Sequence, residues 1–219
     1  PHECITAPDK FGICKVRKNI DGKLFSMVYE QPVAVHIDPI EKKPLFHFLP
    51  GTNIFSIGTT GCNARCKHCQ NYDISQAEFK DRPVIKCETI VEDAINEECL
   101  SIAYTYTEPT IFFEYMEDTA ISGREIGVKS VVITAGYISE KPLIRLCQHV
   151  DAIKVDLKAF TESYYKDIVN GELKPVLKSL EIMRKQNMLT EIVYLVVPTL
   201  NDSDKELTEL SKWVKTNLG

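Results

Sequence analysis

The sequence predicts an α/β fold, a partial (β/α) barrel of five to six parallel strands preceded by a small β-rich N-terminal extension. From Gly51 onward, short apolar runs alternate with longer helical patterns, which is typical of parallel sheets with helical crossovers. At roughly 30 residues per strand–helix unit, this part of the chain holds five to six units. A closed barrel needs eight, so we expect a partial barrel, with an open doubly wound sheet as the alternative.

The N-terminal extension, residues 1–50, differs in pattern from the core domain, residues 51–219. Two β-prone runs, Lys23–Glu30 and Val33–Ile37, flank a Gln31-Pro32 dipeptide. Because proline between two such runs favours a turn, we expect a hairpin here.

Five strands are predicted in the core domain. Each is short and largely apolar, as expected of parallel strands that are buried on both faces. Their carboxyl ends meet at one edge of the sheet, which carries the active site in folds of this kind. The predicted strands are Asn53–Ile57, Ser101–Thr107, Lys129–Thr134, Asp151–Leu157 and Glu191–Val197.

Several helices have recognisable starts. Pro109 stands where a first helical position is expected, because its missing N–H costs nothing there. Two pairs fit the capping box, in which each side chain accepts a free backbone N–H of the first turn. These pairs are Thr89 with Glu92 and Ser203 with Glu206.

The charge balance excludes some partners. The chain carries 26 Lys and Arg against 31 Asp and Glu, a net charge of -5, without long runs of either sign. A nucleic-acid partner is therefore not expected. No apolar run approaches the roughly 18 residues that span a bilayer, and the first residues lack a signal-peptide pattern. We accordingly expect no membrane partner and a cytoplasmic protein.

The eight cysteines are unevenly spaced. Cys62, Cys66 and Cys69 lie in one Gly-led loop directly after the first core strand. A core of this size needs no disulfides, so the spacing indicates metal ligation. Three of the scattered cysteines are expected to pack as small apolar side chains. These are Cys87, Cys99 and Cys147.

Thiolates favour zinc, copper(I) or an iron–sulfur cluster. In a [4Fe–4S] cluster, three cysteines would leave the fourth iron open to a substrate or cofactor. The alternative is a structural zinc ion held by the same cysteines and His68. Adjacent residues rarely bind one metal comfortably, and His68 abuts Cys69, which favours the cluster.

The Cys62-x3-Cys66-x2-Cys69 motif, with His68 before the third cysteine, resembles the signature of radical S-adenosylmethionine (SAM) enzymes. Four further segments resemble the pyruvate formate-lyase activating-enzyme branch, and most of all its AmmeMemoRadiSam members. The resemblance covers nearly the whole chain. The segments are Phe46–Gly51, Gly61–Asn71, Tyr104–Thr110 and Asp156–Lys158.

The resemblance implies a [4Fe–4S] cluster whose open iron chelates SAM, and cleavage of SAM to a 5′-deoxyadenosyl radical that abstracts hydrogen from a substrate. It implies that His68 packs near the adenine and that Glu108 anchors the SAM amine, where the family commonly has Gly-Gly-Glu. Asp156 would hold a ribose hydroxyl or a cation, and Lys158 a carboxylate. A helix N-cap acid at Glu108 and a structural Asp156–Lys158 ion pair are the alternatives.

An external electron donor of the flavodoxin or ferredoxin type is implied as a partner, and AMMECR-type and Memo-like proteins are further candidate partners. Pro1–Cys4 resembles a family segment that follows a Cys-x2-Cys pair, so Cys4 and Cys14 are candidates for a second metal site. A further strand, expected from the resemblance, has no room before Gly219, so the core is expected to be truncated at its C-terminal side.

The resemblance leaves the substrate, and any catalytic residue that acts on it, without a prediction. An activase that makes a glycyl radical on a partner protein is one alternative function. A non-enzymatic binding protein, stabilised by zinc or an iron–sulfur cluster, is another.

Overall fold

The computed structural model describes residues 1–219. Its eight strands are β1 (Arg17–Ile20), β2 (Lys23–Ser26), β3 (Ala34–Pro39), β4 (Asn53–Gly58), β5 (Ser101–Tyr104), β6 (Lys129–Thr134), β7 (Ala152–Leu157) and β8 (Leu189–Tyr194). Its helices are α1 (Tyr72–Ser75), α2 (Cys87–Asn96), α3 (Phe113–Glu125), α4 (Glu140–Leu146), α5 (Glu162–Tyr164), α6 (Leu173–Lys185) and α7 (Asp204–Asn217). Three short turns of other helix types are Ile40–Lys42, Pro109–Phe112 and the π-helical Tyr165–Val169.

The main sheet has six strands in the order β3-β4-β5-β6-β7-β8. Strands β4 to β8 are parallel and joined by helices, which confirms the predicted α/β architecture with five parallel strands. The strand predicted over Ser101–Thr107 ends at Tyr104. Two residues later Tyr106 has a φ of 69°, which takes the backbone out of the extended region.

The hairpin predicted across Gln31-Pro32 is wrong. The N-terminal hairpin instead pairs β1 with β2 and turns at Asp21-Gly22, both with positive φ, the dihedrals that two-residue hairpin turns favour. The Val33–Ile37 run forms most of β3, which pairs antiparallel with β4 at the edge of the main sheet. Residues before Gly51 therefore contribute one strand to this sheet.

The two faces of the main sheet have separate apolar cores. The face beneath the helices belongs to a cluster of 38 buried residues. The opposite, inner face holds a cluster of seven, in which Ile40 and Leu45 cover Ile54, Ala103 and other strand residues. Side chains alternate along a strand, so the side chains of Lys154 and Asp156 share the inner face with that of Ala152. Towards the carboxyl edge the inner face is therefore polar. No helix combines the length and the apolar character needed to cross a bilayer.

One of the two predicted helix caps is confirmed. Ser203 caps α7, where its hydroxyl accepts the backbone N–H of Glu206 at 3.2 Å. The Glu206 carboxylate is buried and accepts from Phe160 N and Tyr194 Oη, so it fastens α7 to the ends of β7 and β8. The cap predicted at Thr89 is wrong, because α2 begins two residues earlier, at Cys87.

Replacing Ser203 by alanine is expected to lower the free energy of unfolding by about 1 kcal/mol, because it leaves one N–H of the first turn of α7 without its acceptor. Chemical denaturation measures the change. Ser211→Ala is the matched control: the Ser211 hydroxyl bonds only to Leu207 O within the helix, so this variant should match the parent. Equal losses in the two variants would contradict the capping role.

Candidate cofactor site

The three clustered cysteines lie in one loop that follows β4 at the carboxyl edge of the sheet. Cys62, Cys66 and Cys69 are free thiols, each partly exposed. Burial raises the pKa of Cys62, and the negative charge of Glu108 adds to this shift. Burial likewise raises the pKa of Cys66, although Lys158 acts in the opposite direction. The loop therefore presents three thiols that form no disulfide to the edge where active sites of this fold class lie.

Gly61 allows the N-terminal extension to pack against this loop. Its φ is +96°, and a Cβ at this position would lie 2.6 Å from Cys14 O and 2.6 Å from Val16 Cγ1. No side chain fits there without moving backbone. The approach of Cys14 and Val16 places the extension directly behind the first cysteine of the motif.

The π-helical segment supports the loop from the other side. Arg65 N donates to Val169 O and Lys67 N donates to Ile168 O, both at 2.9 Å. Because the segment ends at Val169, no N–H further along the helix can donate to these two carbonyls. The residues on both sides of Cys66 are therefore fixed by main-chain hydrogen bonds to the segment that follows α5.

The arrangement of the possible ligands bears on the choice between a [4Fe–4S] cluster and a structural zinc ion. No three His, Cys, Asp or Glu side chains converge where one metal ion could sit. A zinc ion with Zn–S bonds of about 2.3 Å needs such convergence, whereas each cysteine of a four-iron cluster binds a different iron. A zinc ion bound by the cysteines and His68 would therefore require the side chains of the loop to rearrange.

Unpaired polar atoms also mark this region. Five buried side-chain polar atoms have no hydrogen-bond partner, and three of them are Asn63 Oδ1, His68 Nδ1 and Tyr164 Oη. Asn63 and His68 belong to the cysteine loop, and the Tyr164 ring lies 6.2 Å from the His68 ring. Because buried polar groups are nearly always hydrogen-bonded, such a concentration fits a site that receives a ligand.

Glu108 lies between β5 and α3, and only 2% of its surface is exposed. Its carboxylate accepts from Thr134 Oγ1 at 2.6 Å, from Ala135 N at 2.8 Å and from Thr110 N at 3.2 Å. Burial raises its pKa, while these hydrogen bonds oppose the shift. Glu108 is therefore an N-cap and a bridge from β5 to β6, the alternative role predicted for it. It keeps capacity for about one further donor.

Asp156 is paired with two lysines of its own strand end. Lys154 Nζ donates to Asp156 Oδ1, and Lys158 Nζ lies 3.5 Å from Asp156 Oδ2. Burial lowers the pKa of Lys154. For Lys158, burial acts in the same direction but Asp156 and Cys66 outweigh it and raise the pKa. The structural ion pair predicted for Asp156 and Lys158 is thus present, and Lys154 extends it.

Two residues of this site were missed by the sequence reasoning. Lys154 carries a signal that could have found it, because it precedes Asp156 and Lys158 by two and four positions, and alternate residues of a strand share a face. Tyr164 carries no comparable signal, because its position depends on how α5 folds back towards His68. Asn63, by contrast, lies inside the recognised motif.

The N-terminal cysteines are not joined by a third metal ligand of this chain. Cys4 is exposed and Cys14 is buried, and both line a cavity of about 640 Å³ beside Asn63. No third His, Cys, Asp or Glu side chain joins them within reach of one ion, so the geometry does not support a second metal site. Cys87 and Cys99 lie in the main core and Cys147 packs against it, as predicted.

Comparisons with known proteins place this site in a family context. The family described as the Radical SAM superfamily matches residues 56–211. The uncharacterized protein MJ0808 of Methanocaldococcus jannaschii is 42% identical over 221 residues, which cover 100% of this chain and 66% of that protein. The pyruvate formate-lyase-activating enzyme of Clostridium pasteurianum is 22% identical over 159 residues, covering 71% of this chain and 66% of that enzyme. The chain thus spans slightly less than two thirds of the length of these curated relatives.

Among solved structures, Streptococcus suis SuiB bound to S-adenosylmethionine superposes with a TM-score of 0.59 at 16% identity. The match covers 73% of this chain and 36% of that chain. At this level of identity the likeness concerns the fold, and it agrees with the mainly parallel six-stranded sheet described above.

Proposed function

The chain belongs to the radical SAM superfamily, with distant homology to pyruvate formate-lyase-activating enzymes, and from this membership we propose that it reductively cleaves SAM at a [4Fe–4S] cluster held by Cys62, Cys66 and Cys69. The observation that carries the proposal is the set of three free thiols in one loop at the carboxyl edge of the sheet. When bound, the cluster and SAM supply a 5′-deoxyadenosyl radical for hydrogen abstraction from a substrate.

The chain's own residues bind and orient SAM in this proposal. Lys158 offers its ammonium group to a carboxylate of SAM. The ion pair with Asp156 holds the Lys158 side chain in place. Because two lysines already neutralise Asp156, a ribose hydroxyl is a better partner for this carboxylate than a further cation. His68 lies next to Cys69 and presents its unpaired Nδ1, which suits contact with the adenine.

Glu108 is proposed to accept the SAM amine with its remaining capacity. Glu108→Gln is expected to weaken SAM binding to the cluster-loaded protein at least about tenfold, since a hydrogen bond to a charged group contributes about 1.5–3 kcal/mol. Isothermal titration calorimetry measures the affinity. Thr134→Val is the control, because it removes one donor to Glu108 but keeps the carboxylate. If Glu108→Gln bound SAM as the parent does, Glu108 would act as a helix cap alone.

The decisive experiment reconstitutes the protein with iron and sulfide under anaerobic conditions. We expect the visible absorbance of an iron–sulfur cluster and, after addition of dithionite and SAM, the release of 5′-deoxyadenosine. One equivalent of bound zinc without iron would favour the structural-metal alternative. A cluster without SAM cleavage would favour a binding or electron-transfer protein.

Glycyl-radical activation of a partner protein is the second candidate, supported by the similarity to the Clostridium pasteurianum activating enzyme. An external donor such as flavodoxin or ferredoxin would supply the electron in either case. From the motif resemblance to AmmeMemoRadiSam members, we further propose AMMECR-type and Memo-like proteins as partners of this chain. Co-purification of the full-length protein with each candidate, followed by a search for a radical on the partner by electron paramagnetic resonance (EPR), separates these proposals.

A further inference from the structure

Tyr164 and Tyr165 are consecutive, almost fully buried residues with different hydrogen-bonding states. The Tyr165 hydroxyl accepts the backbone N–H of Lys158 at 3.2 Å. Only 4% of the surface of Tyr164 is exposed, and its hydroxyl has no hydrogen-bond partner. Leaving a buried hydroxyl unpaired costs about 1–3 kcal/mol, so this position is costly unless another molecule supplies an acceptor.

The surroundings of Tyr164 point to the cysteine loop. Its ring packs 6.2 Å from the ring of His68, the residue before Cys69. The segment that follows Tyr164 binds the main chain on both sides of Cys66 through Ile168 O and Val169 O. Burial raises the pKa of Tyr164, and among the ionisable side chains around it Cys66 has the largest effect, ahead of Lys158 and Glu206.

The other groups around the hydroxyl do not satisfy it. Glu206 accepts from Phe160 N and Tyr194 Oη through Oε1 and is not within hydrogen-bond distance of the Tyr164 hydroxyl. Lys158 is a donor only. No acceptor of the chain reaches the hydroxyl, which leaves it free to donate to a bound group. Cluster sulfides and iron-bound thiolates are pure acceptors, and they would occupy the loop that Tyr164 lines.

We propose that the Tyr164 hydroxyl donates a hydrogen bond to a sulfur of the cluster and thereby raises its reduction potential. This inference rests on the proposed function and adds to it a residue outside the cysteine motif. Hydrogen bonds to the sulfurs are one of the factors that set cluster potentials. The reduced cluster carries one more negative charge, so a donor stabilises it more than the oxidised form.

The test is an EPR-monitored redox titration of reconstituted Tyr164→Phe without SAM. We expect the equilibrium constant for one-electron reduction to fall about tenfold, a potential more negative by ~59 mV. The cluster-free variant should be at least as stable as the cluster-free parent, because it loses only an unpaired hydroxyl. Tyr115→Phe is the matched control, since Tyr115 donates to Ile85 O: it should lose stability and keep the parent potential.

An unchanged potential in Tyr164→Phe would overturn the inference while leaving SAM cleavage by the parent, and so the proposed function, intact. A shift seen only when SAM is present would also overturn it, because the acceptor would then be SAM. A parent that binds no cluster would overturn both proposals. If Tyr164→Phe fails to fold or to load, 3,5-difluorotyrosine at position 164 replaces it. This stronger donor should make the potential less negative, and an unchanged value would again contradict the inference.

Discussion

Cys66→Ala is expected to abolish both the absorbance of the reconstituted cluster and the formation of 5′-deoxyadenosine. Cys66 is the middle cysteine of the loop, and main-chain hydrogen bonds fix the residues on both sides of it. Removal of one of three thiolates leaves an iron without its protein ligand. Iron and sulfide analysis, together with chromatographic detection of 5′-deoxyadenosine, measures both losses.

Cys147→Ala is the control for this experiment. Cys147 is also a partly buried free thiol, and burial raises its pKa to about 11, but it lies at the end of α4, outside the cysteine loop. This variant should keep the iron content and SAM cleavage of the parent. Retention of a full cluster by Cys66→Ala would mean that other residues hold it, and the assignment of the loop would be wrong.

Gly61→Ala is expected to destabilise the protein by about 2 to 6 kcal/mol. Two effects add: a non-glycine residue at positive φ costs about 1–3 kcal/mol, and forcing a methyl group into a packed contact costs about 1–3 kcal/mol more. The contact here is with Cys14 O and Val16 Cγ1, each 2.6 Å from the added carbon. Chemical denaturation of the cluster-free protein gives the difference in unfolding free energy.

Gly127→Ala separates the two effects. Gly127 also has a positive φ, +87°, but a Cβ there meets no atom within 4 Å. It should therefore show the conformational cost alone. If the two variants showed the same decrease in unfolding free energy, the close packing of the N-terminal extension behind the cysteine loop would not contribute to stability.

The sequence predicted the parallel sheet well because apolar strands and amphipathic helices leave a regular pattern. The failures involve tertiary choices that local pattern does not encode. Val33–Ile37 is β-prone wherever it pairs, and its partner proved to be β4 rather than the preceding run. Thr89 has the right residue type for a cap, yet the helix begins earlier, at Cys87.

At the candidate site, the sequence predicted the residues whose spacing follows from the chemistry, above all the three cysteines. The hydrogen-bond network of Glu108 and the unpaired hydroxyl of Tyr164 could not be predicted. Both depend on which groups meet across separate elements: Thr134 and Ala135 from β6 and the following turn in one case, and His68 in the other.

The support of the cysteine loop by the π-helical segment has a consequence for how freely this motif can vary in sequence. Arg65 and Lys67 make their contacts with Val169 and Ile168 through backbone N–H groups. Every amino acid except proline carries this donor. The two positions can therefore exchange side chains widely among homologues without disturbing the loop, and proline is the substitution that should be missing from both.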